Sequence, residues 1–226
     1  GQDAPTRRPL DSPTMFEPLP IAVLISGGGT NLQALIDAER ASSLGYRIAV
    51  VISDRSMVGG LERAEAASIP TEVVDWAACT SREAFTDAIC DRAEEHGARG
   101  LVLAGFMRIL APRAMERFPH AIINIHPALL PSFPGARAVP SALEHGVTLT
   151  GVTVHFVDEQ VDHGPIIAQE AVPVLPGDDA DRLHARIRAV EHRIYPKVVD
   201  AFGRGELRVE GRQVRFVGVD DVSEAV

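Results

Sequence analysis

The sequence predicts an α/β fold in which a central parallel sheet is flanked by helices and extended by antiparallel strands. Short apolar runs alternate with amphipathic segments from Ile21 onward, which is the pattern of a doubly wound sheet. A glycine-rich turn joins the first apolar run to the first amphipathic segment. After Gly146 two β-rich segments lie close together, TLTGVTVHFVD and GPIIAQEAVPV, and their short separation favours antiparallel pairing.

The individual elements follow from hydrophobic spacing and turn residues. The first strand is predicted over residues 21–26, and its helix carries Leu32, Leu35 and Ile36 at helical spacing. A later helix begins with the capping-box pair Thr80 and Glu83. The other predicted elements are a strand over 46–54, a helix over 61–68, the strands TEVVD, GLVLAG and HAIINIHP, a short helix from Pro112, a last helix within DDADRLHARIRAVEHRIYPKVVDAF, and a hairpin turning at Glu210-Gly211.

Length and composition predict one domain and exclude several classes of protein. The 226 residues are 46% hydrophobic, which suits one well-packed domain over 21–218 after a Pro-rich, disordered tail over 1–20. A net charge of −9 argues against a nucleic-acid surface, and no apolar run spans a bilayer. Two cysteines are too few for a disulfide scaffold. We therefore expect a cytoplasmic protein, monomeric or homodimeric, with no nucleic-acid or membrane partner.

The turn SGGGTNL, at 26–32, is the first candidate binding element. Its glycines let the backbone approach a ligand, and the helix that follows offers unpaired N–H groups that favour an anion such as phosphate. The alternative is a tight strand-to-helix turn with no ligand. Arg82 lies in the first turn of a predicted helix, where its positive charge opposes the helix dipole, so either a nearby anion or plain solvation explains it.

Asn124 and His126 are candidate catalytic residues because they share one face at the carboxyl end of a predicted strand. Asp162, in a turn between later strands, is the third. An amide donor, an imidazole and a carboxylate are the groups that acyl transfer requires. No serine or cysteine lies in a nucleophile elbow, which favours attack by the substrate itself. A structural role for His126 is the alternative, and His155 is predicted to be a partly buried strand residue that contributes to the site indirectly.

The motifs VLISGGGTNLQALIDA, SREAF, LAGFMRIL, NIHPALLPSFPG, VHFVDEQVDHGPIIAQ and AVEHRIYP, together and in this order, resemble phosphoribosylglycinamide formyltransferase. The resemblance implies a Rossmann-like formyltransferase fold with a nucleotide-binding half at about 21–120 and a folate-binding half at about 121–218. It also implies transfer of a formyl group from 10-formyltetrahydrofolate, as co-substrate, to the amine of glycinamide ribonucleotide in purine biosynthesis.

The resemblance assigns roles to particular residues. Asn124, His126 and Asp162 match the catalytic trio, with direct attack of the amine on the formyl carbon and no metal. The ribonucleotide is expected to bind Gly28, Gly29, Thr30, Asn31, Arg82, Arg188 and Glu191. The folate is expected to bind Leu103, Met107, Arg108, Ile109, Leu110, Val157 and Asp158. Without the resemblance, Arg188 and Glu191 are an i,i+3 ion pair on an exposed helix face, and Leu103 and Val157 are core residues.

Three rival functions remain at this point. Formyltetrahydrofolate hydrolase uses a similar trio with water as the nucleophile, but it carries an N-terminal regulatory domain. Methionyl-tRNA formyltransferase carries a further C-terminal domain and a basic surface. A nucleotide-binding module without catalysis would not need the trio. The chain also departs from the family at Arg137, where many members carry a histidine, at Pro140, where a basic residue is frequent, and at His163, where a small residue is usual beside the aspartate.

Overall fold

The structure, a computed structural model, describes residues 16–218. The predicted tail therefore lies largely outside the described residues, and the first strand begins at Leu19. The strands are β1 (Leu19–Ile25), β2 (Tyr46–Ser53), β3 (Thr71–Val73), β4 (Gly100–Leu103), β5 (Ile122–His126), β6 (Leu149–Phe156), β7 (Ile166–Pro173), β8 (Leu207–Glu210) and β9 (Gln213–Phe216). The helices are α1 (Thr30–Ala41), α2 (Gly59–Ala66), α3 (Arg82–Glu95), α4 (Arg113–Arg117), α5 (Ala138–His145) and α6 (Ala180–Gly203), and a 3-10 turn covers Trp76–Ala78.

All nine strands form one sheet in the order β3-β2-β1-β4-β5-β6-β7-β9-β8. Strands β1 to β5 are parallel, whereas β6 pairs antiparallel with β5 and β7 pairs antiparallel with β6. The terminal hairpin β8–β9 joins β7 at a single pair, Ile166 with Gln213. The predicted α/β architecture, a parallel sheet extended by antiparallel strands, is confirmed.

Helices pack on both faces of the sheet, and the apolar side chains of helix and strand are buried between them. On one face α1, α5 and α6 contribute Leu35, Val139 and Ile187, and on the other face α3 contributes Phe85 and Ile89. Each fully buried side chain of this size stabilises the fold by about 1.5–3 kcal/mol. Because β1, β2, β4 and β5 are parallel, their carboxyl ends share one edge of the sheet, which is where open α/β sheets bind their ligands.

Two local predictions differ from the structure. Helix α3 is capped by Ser81, whose Oγ accepts a hydrogen bond from the Ala84 N–H at 3.0 Å, so the predicted capping box of Thr80 and Glu83 is wrong by one residue. Helix α5 is absent from the prediction. Pro140 is the third residue of α5, where a backbone N–H has no helical acceptor and its loss costs little.

Candidate active site

Asn124 and His126 lie at the carboxyl end of β5, where the parallel sheet meets the antiparallel strand β6. Asn124 pairs across the ladder with His155, and His126 pairs with Thr153, so the four side chains form one row on one face. His126 is 5% exposed, whereas Asn124 is half-buried. The Asn124 amide makes no hydrogen bond within residues 16–218, so its N–H groups are free to bind a ligand.

Asp162 reaches this row from the loop between β6 and β7. Its Oδ2 lies 3.5 Å from His126 Nδ1, and its side chain is largely buried. The same Oδ2 accepts a hydrogen bond from the Gly135 N–H at 2.7 Å, which joins the loop of Asp162 to the loop after β5. The structure therefore brings together a carboxylate and an imidazole that are far apart in sequence.

Both ring nitrogens of His126 face oxygen atoms. Nε2 lies 2.8 Å from the Phe133 carbonyl oxygen, to which it donates, and Nδ1 faces the Asp162 carboxylate. This arrangement matches an imidazolium, which carries a proton on each nitrogen. The Nδ1–carboxylate distance exceeds a normal hydrogen bond, as is common for catalytic pairs before substrate binds.

His155 lies on the other side of the same carboxylate. Its Nε2 is 3.8 Å from Asp162 Oδ1, and its Nδ1 donates to the Phe156 carbonyl oxygen at 2.9 Å. His155 is buried, not partly buried as predicted, and burial lowers its pKa, with the Phe156 bond and the Asp162 charge opposing the shift. A neutral His155 that donates through Nδ1 leaves Nε2 as an acceptor, and this nitrogen has no hydrogen-bond partner among the described residues.

The loop of Asp162 is held by contacts at both of its ends. Asp158 Oδ2 lies 2.7 Å from His163 Nδ1, and Arg212 of the terminal hairpin donates to the His163 carbonyl oxygen at 2.6 Å. Asp162 itself has a left-handed backbone conformation, with φ of 50°. At Gly164 a Cβ would collide with the Phe156 carbonyl oxygen, so only glycine fits there. The side chain of His163 thus links the two ends of this loop through its contact with Asp158.

The loop before α1 presents a row of backbone N–H groups. Gly29 precedes α1 with φ of 74°, and a Cβ on it would lie 2.6 Å from Gly60 Cα, so both conformation and packing require glycine. The carbonyl oxygens of Gly27 and Gly28 accept hydrogen bonds from Gly60 N–H and Arg63 Nε. Across the part of the chain that the structure describes, the N–H groups of Gly28, Gly29, Thr30 and Asn31 have no acceptor, as an anion site requires.

Glu191 of α6 meets the start of α1, and the exposed ion pair considered from sequence is wrong. Glu191 is 5% exposed, and Asn31 Nδ2 donates to its Oε2 at 3.2 Å. Burial raises the pKa of Glu191, while the Asn31 hydrogen bond and the charge of Arg188 oppose that shift. Arg188 is exposed and lies beside His184, not in an ion pair with Glu191. Asn31 Oδ1 is buried and has no partner among the described residues.

Arg82 has no described contact with this loop. It is the first residue of α3, is exposed, and makes no ion pair within residues 16–218. The apolar residues of α3 pack on the face of the sheet opposite to α1, and no described contact joins Arg82 to the glycine loop.

Arg137, where the chain departs from the family, is exposed and pairs with Glu144 at 3.0 Å.

The residues expected to bind folate lie in the loop after β4 and in the turn after β6. Leu103, Phe106 and Leu110 are buried in the core, while Met107 and Ile109 are exposed at 60% and 49%. Val157 packs against the same core and Asp158 is half-buried. Arg108 lies between Met107 and Ile109, and its Nε donates to Asp54 Oδ2 at 2.8 Å. Leu103 and Leu110 therefore anchor this segment in the core, and Met107 and Ile109 present apolar surface outward.

Two polar residues of the site had no signal in the sequence. Thr153 Oγ1 donates to the Ala128 carbonyl oxygen at 2.7 Å and accepts from Leu130 N–H, so it holds the loop after β5. Gln169 of β7 donates to the Leu130 carbonyl oxygen and to Thr153. Alternation along a strand does not distinguish a core threonine from one that anchors a loop.

Among the residues described, no group of three or more His, Cys, Asp or Glu side chains is placed to hold a metal, and no helix is suited to crossing a membrane.

Comparison with known proteins places this chain among formyl transferases. The sequence profile described as "Formyl transferase" matches residues 19–199. Phosphoribosylglycinamide formyltransferase of Escherichia coli is 42% identical over 189 residues, which cover 84% of this chain and 89% of that protein. The crystal structure of glycinamide ribonucleotide transformylase 1 from Symbiobacterium toebii superposes with a TM-score of 0.87 at 50% identity, covering 89% of this chain and 95% of that one.

A larger relative contains a comparable segment. The trifunctional purine biosynthetic protein adenosine-3 of Bos taurus is 47% identical over 189 residues, or 84% of this chain. The chain spans only 19% of the length of that trifunctional protein, so it compares with one part of it.

Proposed function

The chain belongs to the phosphoribosylglycinamide formyltransferase family, and on that premise we propose that it transfers a formyl group from 10-formyltetrahydrofolate to the amine of glycinamide ribonucleotide in purine biosynthesis. The observation that carries this proposal is the buried pair of Asp162 and His126, with Oδ2 and Nδ1 3.5 Å apart and Asn124 on the same strand face. When bound, the folate supplies the formyl group, and the residues of the chain bind, orient and move protons.

Asn124 and His126 stabilise the charge that develops on the formyl oxygen. The Asn124 amide has no intramolecular partner in the described part of the chain, so it can donate to that oxygen without breaking another bond. His126 contributes a positive charge in a site that is nearly closed to water, where electrostatic stabilisation is strongest. The Asp162 carboxylate lies beside the imidazole and balances that charge.

Asp162 also serves the proton transfer. The attacking amine must lose a proton and the departing folate nitrogen must gain one. Asp162 accepts the proton, directly or through water, and returns it to the leaving nitrogen. The nearby His155 Nε2, 3.8 Å from Asp162 Oδ1, shapes the environment of this carboxylate without touching the reacting atoms.

The nucleotide is bound at the start of α1. The free N–H groups of residues 28–31 bind its phosphate, supported by the positive end of α1. Glu191 and Arg188, on the facing helix α6, bind the ribose side. Arg82 begins α3, which packs on the sheet face opposite to α1, and its contribution to phosphate binding stays a prediction.

The folate is bound between the loop after β4 and the turn after β6. Met107 and Ile109 offer exposed apolar surface for its rings, and the buried residues Leu103, Leu110 and Val157 hold that loop in place. Arg108 and Asp158 add charged groups at the rim of this space. No metal takes part in the proposed reaction.

A formyl-transfer assay with and without glycinamide ribonucleotide tests the function. We expect tetrahydrofolate to form only when the nucleotide is present, with formylated nucleotide in equal amount, because the amine is the attacking group. Folate product that forms equally without the nucleotide would establish a hydrolase and overturn the proposal. Methionyl-tRNA as an alternative acceptor should give no product.

Replacing Glu191 by alanine should raise KM for glycinamide ribonucleotide about 10- to 100-fold, the equivalent of a lost hydrogen bond to a charged group. We expect kcat to change much less, since Glu191 binds away from the reacting carbon. Steady-state kinetics with each substrate varied separately measures both values. Glu95→Ala, which removes an exposed carboxylate on α3, is the matched control. An unchanged KM for the nucleotide would remove Glu191 from the binding site.

A further inference from the structure

Arg108 is held between a buried carboxylate and an aromatic ring. Its Nε donates to Asp54 Oδ2 at 2.8 Å, and the Asp54 side chain is fully buried. On its other side the guanidinium carbon lies 4.8 Å from the centre of the Trp76 ring, a cation–π contact. Asp54 follows β2 and Arg108 follows β4, so this contact crosses the carboxyl edge of the sheet.

Only one donor of the guanidinium is used in this arrangement. An arginine carries five N–H donors, and within residues 16–218 only Nε of Arg108 has a hydrogen-bond partner. The two terminal nitrogens form a planar fork that matches a carboxylate. Met107 and Ile109, on either side, are exposed and apolar. The loop that carries the fork therefore offers apolar surface beside a cation, as a ligand-binding wall does.

Trp76 is itself fixed by its surroundings. Asp75 caps the 3-10 turn by accepting from Ala77 N–H at 2.9 Å, and the Trp76 N–H donates to the Asp54 carbonyl oxygen. The ring packs edge-on against Phe85 with centroids 5.0 Å apart. Phe85 in turn stacks on Phe106 of the loop that carries Arg108. The ring thus presents a fixed face to the guanidinium.

We propose that Trp76 is a positioning residue, which holds the Arg108 fork in place to bind a carboxylate of the folate co-substrate. The inference rests on the proposed function, because it takes folate as the ligand. Arginine loses much rotamer freedom when it binds, and holding it in advance lowers that cost of ligand binding. Tryptophan is the ring best suited to this contact. Trp76 contacts the arginine and not the reacting atoms, so it governs folate affinity and not the chemical step.

The test compares Trp76→Leu, which keeps apolar packing against Phe85 but has no aromatic face, with Trp76→Phe, which keeps a ring. We expect Trp76→Leu to raise KM for the folate about 3- to 10-fold, the range that a partly desolvated cation–π contact supports. Trp76→Phe should restore most of that loss. KM for glycinamide ribonucleotide and kcat should stay within about twofold in both variants, unlike the effect of a general loss of structure.

A double-mutant cycle with Arg108→Met separates positioning from packing. If Trp76 acts through Arg108, the Trp76→Leu penalty on folate KM disappears in the Arg108→Met background. The inference is overturned if Trp76→Leu raises the folate KM by the same factor with and without Arg108→Met. It is also overturned if Trp76→Leu raises the KM values for folate and nucleotide equally, or if Trp76→Phe does not restore the folate KM. The affinity for a folate analogue that lacks the glutamyl carboxylates, measured by calorimetry, should be the same in Trp76→Leu and in the unmodified protein. Equal sensitivity would show that another part of the folate is involved and would also overturn the inference.

A spectroscopic measurement checks the contact without any turnover. Trp76 is the only tryptophan of the chain, so the emission spectrum reports this ring alone. Arg108→Met should increase quenching by acrylamide because the guanidinium no longer covers the ring face. Unchanged quenching would argue that the contact does not persist in solution. This result is independent of the formyl-transfer assay, so the proposed function and the role of Trp76 can fail separately.

Discussion

Replacing Asn124 by alanine should lower kcat about 10²- to 10³-fold, the usual cost of removing one oxyanion donor. The fold should remain intact, because Asn124 is half-buried at the end of β5 and makes no side-chain hydrogen bond within the described residues. KM for both substrates should change little, since the interaction forms only as charge develops on the formyl oxygen. Steady-state kinetics together with a thermal melt measures both effects.

Two further variants sharpen this experiment. Asn124→Asp has the same shape but offers no N–H donor and adds a negative charge, so it should be at least as inactive as the alanine variant. Gln213→Ala, on the exposed strand β9, is a polar control that should keep normal turnover. Near-normal turnover of Asn124→Ala, with a folded protein, would contradict the oxyanion role.

Replacing Asp162 by asparagine should lower kcat by about 10³-fold, within the range attributed to general acid–base groups. Asparagine has nearly the same volume, and its carbonyl oxygen can accept the hydrogen bond that Gly135 N–H donates to Asp162 at 2.7 Å, so the loop should keep its conformation. It cannot take up a proton, and it no longer balances a positive charge on His126, 3.5 Å away. The loss should therefore be in the chemical step.

Single-turnover experiments isolate that step from substrate binding and product release. With enzyme in excess, Asp162→Asn should bind both substrates and convert them slowly, and addition of more folate should not restore the rate. Glu159→Gln removes a carboxylate from the same loop at an exposed position and is the matched control. A slow rate in both variants would point to a general effect of charge on the loop, and a normal rate in Asp162→Asn would remove the carboxylate from the mechanism.

The fold was predictable because its determinants are local. Apolar runs that end in glycine or proline predicted the strands, and helical spacing at Leu32, Leu35 and Ile36 predicted α1. Alternation of strand and helix then allows few sheets, since parallel crossovers are right-handed and connections are short. The errors were also local: Ser81 and not Thr80 caps α3, and α5 contains a proline in its first turn. Neighbouring residues compete for such roles, and spacing alone does not rank them.

Part of the site was predictable for the same reason. Asn124 and His126 are two residues apart on a strand that ends at once, so their shared face follows from strand geometry. The glycine turn before α1 follows from the need for a left-handed residue, here Gly29. Motif resemblance supported Asp162 and added Glu191 as a candidate, but it carries no distances.

Distant pairs depend on the assembled sheet. Asp162 meets His126 and His155 because β6 lies beside β5 and its following loop turns back over both strands. Glu191 is buried against Asn31, 160 positions earlier in the chain, because α6 packs on α1. The pattern of charges along α6 predicted an exposed pair there, since charge spacing does not report which helix covers it.

Local order, namely which segments are strands or helices and which polar groups end them, was contained in the residue pattern, because it depends on neighbours a few positions apart. The tertiary structure decided which of those polar groups meet: Asp162 with His126, Glu191 with Asn31, Trp76 with Arg108. It also placed helix α3, which begins at Arg82, on the sheet face opposite to α1. These contacts depend on strand order and helix layering, which bring distant segments together only once the whole sheet has formed.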